Sequence, residues 1–125
     1  MESFMTTFDV NASRHLAKQA RIDVLNMIHE SHASHIASAF SCIDILAVLY
    51  SGIDDVNVEN IKMQKHDRII LSKGHAGSAL YAVLAEKNFI SRNLLKTYYA
   101  NGSFLSGHVS HKNINGVEFS TGSLG

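Results

Sequence analysis

The chain carries eight histidines among 125 residues, and histidine is the side chain best suited to moving protons near neutral pH. One of them sits in Ser72-Lys73-Gly74-His75-Ala76-Gly77, directly after the apolar run Arg68-Ile69-Ile70-Leu71 and ahead of a helical pattern. A helix N-terminus presents unpaired N–H groups and a partial positive charge, so phosphate binds there, and glycines let a ligand approach the main chain. An imidazole at that end can donate to a phosphate oxygen or relay a proton. A histidine that caps its own helix or packs on a sheet fits the same residues, because Gly-His and Gly-x-x-Gly are short and common. His29, His32 and His35 are three apart, so on a continuous helix they spread over about 120° and neighbouring pairs could share a metal ion. No cysteine or carboxylate cluster completes a tetrahedral set, and Ser31 and Ser34 suggest a frayed helix there. His108 and His111 lie in a glycine-flanked polar loop, and His15 and His66 read as surface residues. A second glycine segment, Gly122-Ser123-Leu124-Gly125, follows a short apolar stretch and is also ordinary turn material.

These residues need elements to hold them. Leu16, Ala20, Val24, Met27 and Ile28 recur at helical spacing, predicting an amphipathic helix over 13–29. Ser41-Cys42-Ile43-Asp44 has the Ser-x-x-acid pattern of a capping box ahead of a second, buried helix that Gly52 closes in a left-handed turn. Residues 54–67 read as surface loop or short helix, 68–71 as a strand, and about 76–87 as a helix. Ser91 can cap a further helix through Tyr99, ended by Asn101-Gly102, and 117–120 form a second short strand. Strands alternating with helices predict an α/β sheet in one domain or part of one.

Composition narrows the function. Eleven basic and eleven acidic residues give zero net charge, so no electrostatic footprint for nucleic acid exists. No apolar run reaches the roughly 20 residues that span a bilayer, and the N-terminus lacks a signal-peptide pattern, which reads as cytoplasmic with no membrane partner. The single Cys42 has no intrachain partner and reads as a packed side chain.

In order and spacing, these segments resemble the N-terminal part of the transketolase family. "RIDVLNMIHESHASHIASAFSCIDILAVLY" resembles its first helix, histidine loop and second helix; "DRIILSKGHAGSALYAVLAEKNF" is similar to its strand and helix around Lys/Asn-Gly-His-Ala; "GHVSHKNINGVEFSTGSLG" looks like its Gly-His loop and Gly-Val-Glu-x-Ser/Thr-Thr-Gly-x-Leu-Gly. The resemblance covers the chain from about residue 13 onward. It implies an incomplete thiamine diphosphate-binding fold of α/β class, residues 1–125, with a parallel sheet flanked by helices. His75 would contact the diphosphate side of thiamine diphosphate. His35 would face the substrate channel, and His108 would hydrogen-bond the donor ketose near its C1 hydroxyl. Gly122 and Leu124 would offer main-chain groups to the aminopyrimidine, with any larger residue at Gly122 obstructing the approach. The implied reaction moves a two-carbon ketol unit from a ketose phosphate to an aldose phosphate, with Mg2+ beside the cofactor.

Departures accompany the matches. The family's first histidine loop reads Gly-His-x-Gly, whereas here it is Ser34-His35-Ile36-Ala37, which puts the role of His35 in question. The family's Gly-Asp-Gly and later asparagine, which bind magnesium and diphosphate, would lie beyond Gly125, and the cofactor-activating glutamate belongs to another domain. The expectation is therefore a fold truncated after the second glycine motif and inactive alone. Its partners would be complementing transketolase segments or a second polypeptide, in a dimeric complete enzyme. The apolar face of Ile69 and Leu71 would lack covering strands and favour association. A non-catalytic remnant or interaction fragment is the competing reading, and the relative 1-deoxyxylulose-5-phosphate synthase fits the Ser72–Gly77 segment less well.

Overall fold

The computed structural model describes residues 8–53, 56–122 and 124. Helix α1 spans Val10–Ser31. Asp9 starts it, its carboxylate accepting from the N–H groups of Asn11 and Ala12 at 2.9 and 3.1 Å, which satisfies two of the donors a helix start leaves open. Leu16, Ala17, Ala20, Val24 and Met27 form its buried stripe, and His32, in the left-handed region at φ 54°, ends it.

Helix α2 spans Ile36–Val48, so it begins five residues before the expected capping box. The reason is local. His35 turns the chain at φ 72° and its carbonyl already accepts from Ala39 N–H at 3.0 Å. Ser41 is thus inside the helix, its hydroxyl bonded back to Ser38 O at 2.9 Å, while Asp44 pairs with Arg21 of α1 at 2.5 Å. The helix loosens into a π-type turn, Leu49–Ile53, and Gly52 at φ 128° redirects the chain.

A three-residue 3₁₀ turn, Gly74–Ala76, leads into α3, Gly77–Glu86. Every residue from Gly77 to Ala85 is buried, because α1 and α2 pack on it and Leu105, Val109, Ile114 and Val117 join the same core. Small side chains permit that enclosure: Gly77, Ser78, Ala79, Ala82 and Ala85 leave room for neighbours to approach. The tail of the chain is pinned to it, with Tyr81 Oη donating to Ser106 O at 2.9 Å. The helix expected from Ser91 to Tyr99 is a 3₁₀ segment, Arg92–Thr97, capped by Ser91.

The expected sheet is the main difference. Among the described residues no strand is present. Segment 68–71 keeps a strand's alternation, with Ile69 and Leu71 leaning on the core and Ile70 54% exposed, but a strand exists only by pairing with a neighbour, and it has none. The same holds for 117–120, where Val117 is buried and Phe119 exposed. Ile69 and Leu71 are thus half-buried, packed against the core on one side. His66 is not a surface residue: its side chain is 3% exposed against Glu118.

Candidate functional site

Three of the histidines singled out in the sequence converge. His75 comes from the 3₁₀ turn before α3, His35 from the left-handed corner before α2, and His108 from the loop that folds back over α3. The ring centroids of His35 and His75 lie 5.4 Å apart, and those of His35 and His108 lie 6.4 Å apart. The rings are close enough to serve one ligand. His75 is partly buried while His35 and His108 are exposed, so the cluster lies at the surface end of α3. Loss of water around His75 pushes its pKa down, and the neighbouring Lys73, His35 and His108 push it the same way. It is therefore held neutral near pH 7, able to give a proton from one nitrogen and take one at the other.

The two glycine motifs meet beside this cluster. A Cβ placed on Gly74 would lie 3.0 Å from Gly122 N, 3.1 Å from Gly122 O and 3.0 Å from Thr121 Oγ1. A side chain there would crowd the Gly122 backbone and force it to shift. A Cβ on Gly122 would meet nothing within 4 Å, so no protein atom demands glycine at that position. The Thr121 hydroxyl is buried and has no hydrogen-bond partner among the described residues, and Thr121 N–H donates to Val109 O at 2.9 Å. Leu124 is 67% exposed, with no described contact to the histidines; Ser123 and Gly125 lie outside the described residues.

Lys73 fixes the cluster from below. Its ammonium donates to Ser38 O at 3.0 Å and to Ser41 Oγ at 2.7 Å, tying the turn that carries His75 to the helix that begins after His35. Sequence reading missed Lys73, Thr121 and the packing role of Gly74. Lys73 works through Ser38 and Ser41 of α2, and Gly74 and Thr121 meet only because residues 121–122 return from about 50 positions away in the chain. The remaining histidines do not join. His29 is on the last turn of α1 and His32 ends it, His15 is exposed on α1, and His111 bonds Ser120 Oγ at 2.6 Å. Among the described residues no group of three or more His, Cys, Asp or Glu could hold a metal ion, and no helix is long and apolar enough to cross a membrane.

Residues 12–125 match the family described as "Transketolase, thiamine diphosphate binding domain". The chain belongs to the transketolase family. Among its relatives is one of the subunits of an apulose-4-phosphate transketolase from Phocaeicola vulgatus, 38% identical over 109 residues that cover 87% of this chain and 38% of that one. Another is the 6-deoxy-6-sulfo-D-fructose transketolase subunit SqwG of Clostridium sp., 35% identical, covering 90% of this chain and 41% of that one. Human transketolase is 32% identical over 93% of this chain and 18% of its own. The transketolase of Leishmania mexicana superposes with a TM-score of 0.79 at 26% identity, over 90% of this chain and 17% of that one. This chain thus spans about two fifths of the first two relatives, 38% and 41% of their lengths. The fold is that of a transketolase thiamine diphosphate-binding domain, and the three histidines and the paired glycines sit within the matched stretch.

Proposed function

We propose that this chain supplies the histidine side of a thiamine diphosphate site in a transketolase that moves a two-carbon ketol unit from a ketose phosphate to an aldose phosphate. The observation that carries the reading is the convergence of His35, His75 and His108 beside the apposed Gly74 and Gly122. That arrangement suits an anionic, partly flat ligand: three imidazoles lie close together, the open side of Gly122 leaves main chain that a ligand can approach, and the unpartnered Thr121 hydroxyl offers one more polar contact. When bound, the cofactor supplies the electron sink for breaking a carbon–carbon bond beside a carbonyl.

The chain's own residues hold and protonate. His75, kept neutral, donates to a diphosphate oxygen. His35 faces the substrate channel and assists proton transfer at the sugar hydroxyls, and His108 hydrogen-bonds the donor ketose near its C1 hydroxyl. Gly122 and Leu124 offer main-chain groups to the aminopyrimidine. The group that activates the cofactor comes, in this reading, from another domain, and the Mg2+ ligands come from residues that complete this one. The same residues pair with 68–71 and 117–120 to build a parallel sheet. Relatives named as subunits support a two-component assembly of this kind, with residues 1–125 as part of the diphosphate-binding domain.

Calorimetric titration of thiamine diphosphate with Mg2+ tests it, run on this chain alone and mixed with the complementing segments of the Phocaeicola vulgatus relative. Binding in the mixture that disappears in His75→Ala is the expected result. A mixture that binds nothing sinks the reading and leaves a non-catalytic fragment of the fold.

A further inference from the structure

His66 lies outside the histidine cluster, half-buried as a residue but with a side chain only 3% exposed and both ring nitrogens engaged. Nδ1 lies 2.5 Å from Met63 O, and Nε2 contacts Glu118 Oε1. A carbonyl and an ionised carboxylate can only accept, so both nitrogens must donate, and an imidazole with two donors is an imidazolium. The other oxygen of Glu118 accepts from Arg68 Nη1 at 3.0 Å. Among the described residues, Glu118 and Arg68 are the charged groups that act on His66. The carboxylate is only 11% exposed, and the hydrogen bond to it is the largest of the influences that raise the His66 pKa, with loss of water and then Arg68 opposing.

Position in the chain gives this contact its consequence. From Arg68 the chain runs through Leu71 to Gly74, and from Glu118 it runs through Thr121 to Gly122. Gly74 and Gly122 are the residues that press together at the cradle. His66, Arg68 and Glu118 therefore join the bases of the two segments whose tips form the site.

We propose that His66 is a positioning residue of that site: as an imidazolium it clamps Glu118 and holds segments 66–74 and 117–122 in register, and release of its proton loosens the cradle and weakens thiamine diphosphate binding. The proposal rests on the function proposed above for its binding arm, but not for the clamp itself. Neutral imidazole has one donor, so it can serve either Met63 O or Glu118 and must face the other acceptor with a lone pair. The raised pKa fixes the sign. The clamp is fully present below the unfolded-state value, about 6.5, and is lost as pH rises through the higher folded-state value.

The test compares wild type with His66→Arg, which keeps a charge at every pH used, and His66→Gln, which never carries one. Thermal midpoints of the full chain and thiamine diphosphate affinities of the complemented assembly are measured at about pH 6 and 8.5. Relative to His66→Arg, the wild-type midpoint should fall over this range and its Kd should rise, by about fivefold. His66→Gln should behave at both pH values as wild type does at the higher one. If one variant does not fold, the other decides, since wild type should converge on His66→Gln at high pH and diverge at low pH. Parallel midpoint profiles overturn the clamp. Diverging midpoints with parallel affinities overturn the positioning role. If nothing binds cofactor at any pH, the proposed function and the positioning role fail together, while the midpoints still report whether the clamp exists.

Discussion

At the scale of single residues, the site depends on Gly74 and His75 in different ways. Gly74→Ala places a methyl about 3 Å from the backbone of Gly122, and backbone cannot swing aside as a side chain tip can. We expect a loss of about 1–3 kcal/mol, the usual cost of overpacking, seen as a lower thermal midpoint, together with loss of thiamine diphosphate binding. Gly122→Ala, which meets no protein atom, should keep the midpoint and affect only the ligand. His75 makes a second prediction. Its pKa is depressed first by desolvation and then by Lys73, His35 and His108, so its ring resonance should titrate below the ordinary value of about 6.5. In His35→Ala the titration should move only part of the way back, because the largest cause remains. The sign for stability follows: as pH falls below about 6.5 the unfolded chain takes this proton first, so the group disfavours the folded state on the acid side. The order Gly-His-Ala and the second Thr-Gly were legible in the sequence, and so were the three histidines that converge. Their mutual distances were not, since no local pattern says that residues 35, 75 and 108 share a corner. His66 misled for the same reason, because its partner is 52 positions away.

At the scale of elements, the histidine cluster is held by how α2 and α3 begin. Lys73 joins the turn ahead of α3 to Ser38 and Ser41 on α2. Lys73→Met keeps most of the stem and removes the donor. It should cost about 1 kcal/mol, as a partly exposed hydrogen-bonded charge does, and should raise the Kd for thiamine diphosphate more than it lowers the midpoint, because the contact sets the spacing of His35 and His75. Side-by-side denaturation and calorimetry check both halves. The long helices were readable from their apolar period, since α1 and α2 each bury one stripe. The start of α2 was not. A Ser-x-x-Asp pattern in mid-helix looks the same as a capping box until Arg21 and Lys73, both distant in sequence, are seen to occupy Asp44 and Ser41. The strands at 68–71 and 117–120 were read from correct alternation, but alternation gives a segment two faces and does not give it an edge partner.

At the scale of the whole molecule, one buried carboxylate ties α1 to the far side of the fold. Asp23, 6% exposed in its side chain, takes a hydrogen bond from Arg92 at 2.6 Å, and Arg92 also contacts Glu86 of α3. Burial raises the Asp23 pKa and Arg92 opposes it. Arg92→Ala leaves that carboxylate without its partner and should cost about 2 kcal/mol, less than a fully buried pair because Arg92 is half open to water. The folded form of this variant should hold a proton on Asp23 that the unfolded chain has lost, so its stability falls as pH rises from about 4 through the raised value. Thermal midpoints at pH 5 and 7 should show the larger deficit at pH 7. Finally, α3 is enclosed on all sides from Gly77 to Ala85, and a helix so enclosed cannot fray by itself. Its amide hydrogens should exchange with deuterium only when the entire chain opens, while those of the exposed face of α1 exchange earlier. The wall beside which His75 stands is then the slowest-opening part of the protein, so adjustment to a ligand falls to the segments around it, the corner at His35 and residues 107–122.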